Sequence, residues 1–240
     1  MKTSIKAFLI AGLTIYFQGI VKKYDLISTG LAKLDKLLGG GISGGAIYDI
    51  FGPSGTGKTQ LAMQICANAI REKIIYQDTT GTFRPERILQ MIRTRGLGPE
   101  LLDNITVARI TNAAEQVASL GKIPEVRPAL VVIDNISDLF SFEYAKESNS
   151  LEKHIMFMHY MRALSLACIQ NNVPAVVTNS VRGTGEEERE NLDKSISIFT
   201  HKKIRLSKTG TKFGAEVLPS FGPKKEMSFE ITPEGLVDAS

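Results

Sequence analysis

The chain has 240 residues, which is enough for one α/β domain with a large core and too few for two of ordinary size. Hydrophobic residues make up 43% of it and charged residues 22%, which is ordinary for a soluble globular protein and excludes the disordered and fibrous classes. The formal net charge of +4 permits a polyanionic partner without requiring one. Cys66 and Cys168 lie in apolar helical patterns, so we expect buried thiols in the reducing cytoplasm rather than a disulfide.

The first 24 residues differ in character from the predicted core, which covers residues 25–240. A basic start and the apolar run Ala7–Phe17 superficially suggest a secretory signal. No small-residue cleavage site follows, and the run is too short to span a bilayer, so we expect neither export nor a membrane partner. Tyr16–Gly19 also matches the end of a protease-site tag, in which case part of this segment is foreign to the protein.

The core alternates between predicted strands and predicted helices. The strands are predicted over 46–51, 73–78, 101–108 and 129–134. The helices are predicted over 31–38, from Lys58 to residue 70, and over 84–92, 113–120 and 150–169. The apolar positions of the last of these are expected to pack into the core, and they include Leu151, Ile155, Met158, Leu164 and Cys168. The alternation indicates an α/β fold in which a mostly parallel, twisted sheet is covered by helices on both faces.

The segment Gly52–Thr59 fits the phosphate-binding pattern G-x-x-x-x-G-K-[ST] at every position and lies between a predicted strand and a predicted helix. Its glycines allow backbone N–H groups to turn towards the phosphates of ATP, at the positive end of the following helix. Lys58 is expected to contact the phosphates and the Thr59 hydroxyl to bind Mg²⁺. The predicted nucleotide-binding residues of this segment are Gly52, Pro53, Ser54, Gly55, Thr56, Gly57, Lys58, Thr59 and Gln60.

A second chemical feature is the apolar run Ala129–Asp134, a predicted strand that ends in an acid. Burial on both faces explains why the run is continuously apolar. An acid at the carboxyl end of a parallel strand falls beside the phosphate loop, where it can hold the water shell of a metal. Asp134 and Thr59 are therefore the predicted Mg²⁺ residues.

Several motifs together resemble the core of the RecA/RadA recombinases. They are Ile27–Gly30, Leu34–Ile42, the Gly-Lys-Thr-Gln of the phosphate loop, Asp78–Arg87, Leu102–Ile105, Val177–Asn179 and Phe229–Ala239. The Asp78–Arg87 run resembles the archaeal and eukaryotic branch specifically. A core of this length without a helical DNA-binding domain is most similar to recombinase paralogues of the archaeal RadB type. The resemblance implies a RecA-like P-loop fold, ATP and Mg²⁺ as cofactors, oligomerisation, and a role in DNA recombination and repair.

Three site residues are interpreted through this resemblance. Thr80 stands where the family has the glutamate that activates the attacking water, and Ser180 stands where it has a glutamine that senses the γ-phosphate. A threonine hydroxyl does not act as a general base near neutral pH, so we expect nucleotide binding to persist and hydrolysis to be weak. Arg87 would stack on the adenine, as a guanidinium plane does well.

Three functional interpretations remain open at this point. In the first, the chain is a recombination mediator that binds ATP, assists a recombinase and hydrolyses ATP weakly. In the second, it is a fully active DNA-dependent ATPase in which another acid replaces the missing glutamate or a neighbouring subunit completes the site. The third is a KaiC-like signalling ATPase on the same fold, against which the run Phe83–Arg87 argues.

DNA is one expected partner. The family's first DNA-binding loop corresponds to 142–151, which has no arginine, and the second to 182–196, where acids outnumber bases. A basic group follows the second loop, and it suits either a nucleic acid or a solvated edge strand. We expect weak, sequence-independent binding of single- or double-stranded DNA. The candidate contacts are Arg182, Lys202, Lys203 and Arg205.

A second expected partner is another subunit. Phe8–Ala11 matches the Phe-x-x-Ala motif by which recombinases of this family insert into a neighbouring ATPase domain. An aromatic side chain with a small residue three positions later can fill a shallow pocket while its strand adds to a sheet edge. The segment is therefore expected to bind a RadA-type recombinase or a second copy of the chain, unless it is an apolar terminus that matches by chance.

Overall fold

The computed structural model describes residues 26–183, 188–218 and 225–239. The α-helices in these residues are α1 (Ala32–Leu38), α2 (Lys58–Ala69), α3 (Pro85–Arg93), α4 (Ala113–Ala118), α5 (Lys122–Val126), α6 (Asp138–Glu143), α7 (Ser150–Asn171) and α8 (Asp193–Ile196). The strands are β1 (Ile47–Gly52), β2 (Ile74–Asp78), β3 (Ile105–Arg109), β4 (Leu130–Asp134), β5 (Ala175–Arg182), β6 (Arg189–Glu190), β7 (Lys202–Thr209), β8 (Lys212–Leu218), β9 (Lys225–Thr232) and β10 (Gly235–Asp238).

The strands form one sheet in the order β10-β9-β8-β7-β1-β5-β4-β2-β3, and β6 pairs with β5. From β7 to β3 every neighbouring pair in this order is parallel. Their carboxyl ends therefore meet at one edge, where Gly52 lies opposite Ser180 and Asp78 opposite Asp134. The mostly parallel sheet predicted from the sequence is confirmed.

Helices cover both faces of the parallel part. On one face, Ile50 and Val132 belong to a core cluster that includes residues of α1, α2 and α3. On the other face, Ile47 and Val131 belong to a cluster that includes residues of α5, α6 and α7. Burial on both sides explains the continuously apolar sequence of β4, whose five residues are all buried.

The antiparallel strands β8, β9 and β10 extend the sheet beyond β7. Ile204 and Leu206 of β7 are fully buried and pack in the same core cluster as α2. The intervening Arg205 is exposed, as are Ser228 and Glu230 on β9. This alternation is typical of a sheet whose second face is polar and turned to solvent.

Two predicted elements differ in extent from the observed ones. Residues 101–104, predicted as strand, lie in a 3₁₀ helix over Pro99–Asn104, and the strand begins at Ile105. Proline in the first turn favours a helical start there, and both leucines pack partly buried against the core. The helix predicted over 113–120 ends at Ala118, and a 3₁₀ turn over Ser119–Gly121 leads into α5.

The predicted buried face of α7 is wrong in its first half. Leu151 is 74% exposed, and Ile155 and Met158 are also exposed. The buried residues are Phe157, Tyr160, Met161, Leu164 and Cys168. The sequence of α7 offers two apolar stripes, and the rings of Phe157 and Tyr160 select the buried one by packing against Phe140.

Both cysteines are free and buried, as predicted. Within the three described ranges, no helix is long and apolar enough to cross a membrane. The predicted motif Phe8–Ala11 and the tag-like Tyr16–Gly19 lie outside the described residues.

Candidate nucleotide-binding site

The phosphate loop joins β1 to α2, whose first residue is Lys58. Gly52 has φ of 149°, and a Cβ atom there would overlap the carbonyl oxygen of Leu206 on the neighbouring strand β7. Gly57, which precedes α2, has φ of 95°. Both conformations are in the region that favours glycine. The loop therefore needs glycine for its turn and for its close contact with the sheet.

Lys58 lies folded over the phosphate loop. Its Nζ donates to the carbonyl oxygens of Gly52 and Pro53, both at 2.8 Å. Burial lowers the pKa of Lys58, and the carboxylates of Asp134 and Asp138 act in the opposite direction. The ammonium group is thus held in the concavity of the loop, where phosphate oxygens can replace the two carbonyls as its acceptors.

Asp134 ends β4 and is almost completely buried. Its Oδ2 accepts a hydrogen bond from the Tyr76 hydroxyl at 2.9 Å, and its Oδ1 accepts one from the Thr178 hydroxyl. These bonds come from β2 and β5, the two strands that flank β4, and they fix the orientation of the carboxylate. A carboxylate and the Thr59 hydroxyl are oxygen ligands of the kind Mg²⁺ prefers, so the residues present fit a Mg·ATP site.

Thr80 lies in the turn that follows β2, and the carboxylate of Asp78 organises this turn. Its Oδ1 accepts backbone N–H groups from Thr80 at 3.2 Å and Gly81 at 2.7 Å. The Thr80 hydroxyl is 2.7 Å from the Thr82 hydroxyl. Thr80 itself is exposed. Thr80 therefore supplies only a hydroxyl group here, and the nearby Asp78 carboxylate already accepts hydrogen bonds from backbone N–H groups.

Ser180 and its neighbour Asn179 lie in the second half of β5, where Ser180 is opposite Gly52 of the phosphate loop. The Ser180 hydroxyl donates to Asp138 Oδ1 at 3.0 Å. Asn179 is fully buried, and its Nδ2 donates to Glu190 Oε1 at 2.6 Å. Asp138 was missed in the sequence analysis, although its place four residues after Asp134 at the same strand end was a usable signal.

Arg87 connects three elements. Its Nε donates to Gln60 of α2 at 2.7 Å, and its NH2 group donates to the carbonyl oxygen of Thr232 at the end of β9 at 2.6 Å. It also donates to Gln90 of α3 and to the carbonyl oxygen of Pro233. These bonds use the edge of the guanidinium group, whereas stacking on a base uses its flat face. The adenine contact of Arg87 stays a prediction.

The candidate DNA contacts divide into two groups. Arg182 and Arg205 are exposed and Lys202 is half-buried, and Arg205 lies 3.7 Å from Glu188. Lys203 is a correction, because its side chain is only 13% exposed and its Nζ pairs with Glu190 and Asp193. Its charge is used inside the protein, which removes it from the DNA-binding candidates.

Comparison with known proteins finds a matching family model and related proteins. The family model described as Rad51 matches residues 22–239. The DNA repair and recombination protein RadA of Cenarchaeum symbiosum (strain A) is 32% identical over 233 residues, which cover 89% of this chain and 58% of that protein. The protein of the same name from Aeropyrum pernix is 37% identical over 233 residues, which cover 88% of this chain and 73% of that protein. The chain thus spans little more than half the length of the first of these relatives.

Proposed function

The chain belongs to the Rad51 family of RecA/RadA-type proteins, and on that premise we propose that it is an ATP-binding recombinase paralogue of the RadB type, a mediator in homologous recombination and DNA repair. One observation carries the proposal. Lys58 and Asp134, which we propose hold phosphate and metal, lie at the phosphate loop and at the end of β4, whereas Thr80 stands at the position proposed for the water-activating glutamate.

We propose that ATP binding and ATP hydrolysis depend on different residues of this site. Lys58, Thr59 and Asp134 provide a cation, a hydroxyl and a carboxylate for Mg·ATP, so binding does not depend on Thr80. A hydroxyl group does not remove a proton from water near neutral pH, and the adjacent Asp78 carboxylate already accepts several backbone N–H groups. ATP then acts mainly as a ligand that selects one conformation of the protein.

The proposed DNA contact is weak and not sequence-specific. Arg182, Lys202 and Arg205 are the remaining basic candidates, and Arg205 lies near the acid Glu188. A few lysine and arginine contacts with phosphates give affinity that falls steeply with salt concentration.

The proposed subunit contact uses the edge of the sheet. Among the described strands, β3 is the end strand next to β2, and it pairs on one side only. Val107 of β3 is 41% exposed, and Val117 of α4 is 38% exposed. An open edge beside apolar side chains suits the addition of a strand with an aromatic anchor, which is what Phe8–Ala11 of a second copy, or the equivalent motif of a RadA-type recombinase, would supply.

A second candidate function is a fully active DNA-dependent ATPase, and Asp138 is the observation that favours it. Its carboxylate accepts a hydrogen bond from Ser180 and is close enough to Lys58 to affect the pKa of that lysine. Asp138 could then serve as the acid that replaces the glutamate.

The deciding experiment measures Mg·ATP binding and hydrolysis by the full chain, with and without single-stranded DNA. Tight binding with turnover far below ~1 s⁻¹ is the result expected of the mediator. Brisk turnover that DNA stimulates, and that Asp138→Asn abolishes, would establish the second candidate. Absence of nucleotide binding would contradict both.

A further inference from the structure

A cavity of about 590 Å³ lies at the edge of the sheet opposite the nucleotide site. It opens between the start of the core at Leu26, the carboxyl end of α2, and the residues that immediately precede β4 and β5. Because β1, β5 and β4 are parallel, their amino ends meet here, whereas the phosphate loop and Asp134 lie at their carboxyl ends. The described residues that line the cavity are therefore distinct from those of the nucleotide site.

The inner wall of the cavity is mainly apolar. Ile42 and Ile70 are each 1% exposed, and Pro174 is also buried. At the mouth, Leu26 is 42% exposed and Leu97 is half-buried. Cavities of roughly 300 to 1,000 Å³ with mostly apolar walls are the usual size for binding pockets in proteins. The wall is therefore suited to receive an apolar group.

One side of the cavity presents a fixed guanidinium group. Arg95, which follows α3, donates from Nη1 to the carbonyl oxygen of Ala67 at 3.3 Å and to Asn68 Oδ1. Asn68 in turn donates from Nδ2 to the carbonyl oxygen of Ser28 at 2.7 Å. Both acceptors of Arg95 are neutral, and its Nε and Nη2 groups donate to no described residue. These groups can bind the two oxygens of a carboxylate.

The rim of the cavity is basic. Four exposed cations lie in or beside the lining, and they are Arg71, Lys73, Arg95 and Arg127. Lys73 adjoins the cavity because its carbonyl oxygen accepts the N–H of the lining residue Ala129 at 2.8 Å. Among the described residues, none of the four cations has a carboxylate within ion-pair distance. Glu72 is the one acid among the described lining residues, so positive charge dominates the rim.

The combination of an apolar wall and a basic rim favours a protein segment as the occupant. Single-stranded nucleic acids bind on aromatic side chains, and none of the described lining residues is aromatic. The chain's own residues 1–25 carry four lysines and one aspartate, so their charge does not complement the rim. A peptide with an apolar side chain between acidic residues matches both features, since the apolar group fills the cavity and the carboxylates meet the guanidinium groups.

We propose that this cavity is a docking site for an acidic segment of a partner protein. The segment inserts an apolar side chain between the end of α2 and the starts of β4 and β5, and its carboxylates pair with Arg71 and Arg95. The site is separate from the β3 edge proposed for the subunit contact, and it does not depend on the proposed binding of ATP.

The test begins with selection of peptides from a phage-displayed library of random short sequences on the full chain. Counter-selection uses the double variant Leu26→Asp/Arg71→Gln. Both side chains are exposed, and Arg71 makes no hydrogen bond or ion pair with a described residue, so the variant is expected to keep its fold, which circular dichroism checks. The expected peptides bind the wild type alone and place an aliphatic or aromatic residue next to aspartate or glutamate.

The second step titrates a fluorescent synthetic copy of a selected peptide with the full chain. Arg95→Gln is expected to weaken binding about tenfold, because a charge-assisted hydrogen bond is lost. A copy of the peptide with amides in place of its carboxylates should weaken to a similar extent. The matched controls are Arg93→Gln, an exposed arginine at the end of α3, and Leu151→Asp, an exposed leucine on α7. Both should stay within about twofold of the wild type.

Each outcome decides between occupants. Failure to obtain peptides specific to the wild type would overturn the proposal, as would selected peptides that lack acids or that bind Arg95→Gln as well as the wild type. Binding of a poly-dT oligonucleotide that Leu26→Asp and Arg71→Gln each weaken, without any selected peptide, would assign the cavity to nucleic acid instead. Dimerisation that Leu26→Asp abolishes would assign it to a second copy. A wild type that binds the peptides but no Mg·ATP would overturn the proposed function alone.

Discussion

The nucleotide site has two sides that are built from adjacent strand ends and differ in how much chemistry they retain. The phosphate side consists of Gly52–Thr59 and Asp134. It contains the Lys58 ammonium group, which lies over the glycine loop, and the Asp134 carboxylate, whose orientation is fixed by two hydroxyl groups. The hydrolysis side, which consists of Thr80 and Ser180, presents only hydroxyl groups. The proposed function therefore assigns nucleotide binding and nucleotide turnover to distinct residues of one site, which makes the two properties separable by mutation.

The largest expected effect is on the phosphate side. Lys58→Ala removes the ammonium group that lies in the concavity of the loop, and we expect Mg·ATP affinity to fall about 100-fold, because a charge-assisted bond to phosphate is lost. Isothermal titration calorimetry measures the Mg·ATP affinity of the variant. The control is Lys73→Ala, an exposed lysine before the amino end of β2, at the opposite edge of the sheet. An affinity equal to that of the control would mean that Lys58 does not contact the phosphates.

The hydrolysis side gives the next effect. Thr80→Glu places a carboxylate in the turn organised by Asp78, and we expect ATP turnover to rise about tenfold, which is below the usual range for a well-placed general base. Affinity should change little because the phosphate side is intact. Thr82→Glu, the neighbouring hydroxyl residue, is the matched control, and steady-state release of inorganic phosphate is the measurement. Equal rates for the two variants would show that Thr80 is not the catalytic position.

The buried charged cluster behind the site, formed by Asp49, Glu190 and Lys203, gives a smaller effect, which depends on pH. The pKa of Asp49 is raised in the folded protein, so the folded state retains a proton that the unfolded state releases. Its stabilisation is fully present below the unfolded pKa of about 4 and decreases as pH rises towards the folded pKa. Relative to Asp49→Asn, the wild type should lose stability from pH 5 upwards, by at most about 1.4 kcal/mol per pH unit.

Chemical denaturation of both proteins across this pH range measures the difference. The charged groups that face Asp49 are Glu190 and Lys203, with Asp193 on the other side of the lysine. The pKa of Lys203 is raised and that of Asp193 is lowered, so neither titrates between pH 5 and 8. The histidines are present in both proteins and cancel in the comparison. Parallel pH profiles would contradict a proton on Asp49.

The phosphate side of the site and the charged cluster behind it were not equally visible in the sequence. The phosphate loop was predictable because its strand, glycines and helix are contiguous, and Asp134 because an acid at the end of a buried apolar strand, behind a complete phosphate loop, is typical of a metal-holding carboxylate. The cluster of Asp49, Glu190 and Lys203 was not, because β1 is far from β6 and β7 in the chain and lies beside β7 only through the sheet order. Lys203 therefore looked like a surface charge.

The smallest effect concerns Ser180, and it tests whether the hydrolysis side works as a unit. Ser180 lies opposite Gly52 in the strand register, so a longer amide there would extend along the phosphate loop. Ser180→Gln alone should change turnover little, because an added contact at the phosphate loop does not activate water when Thr80 supplies no general base. In the Thr80→Glu background we expect a further rise of about threefold, a non-additive gain that a double-mutant cycle of turnover measures.

The control for that cycle is Ser228→Gln, an exposed serine on β9. Additive effects of Thr80→Glu and Ser180→Gln would mean that the two positions act independently. A gain of turnover from Ser180→Gln alone would mean that another acid already activates water, and Asp138, which accepts the Ser180 hydrogen bond at 3.0 Å, would then be that acid. The hydrolysis side would in that case retain a carboxylate of its own, supplied by α6 instead of by the turn after β2.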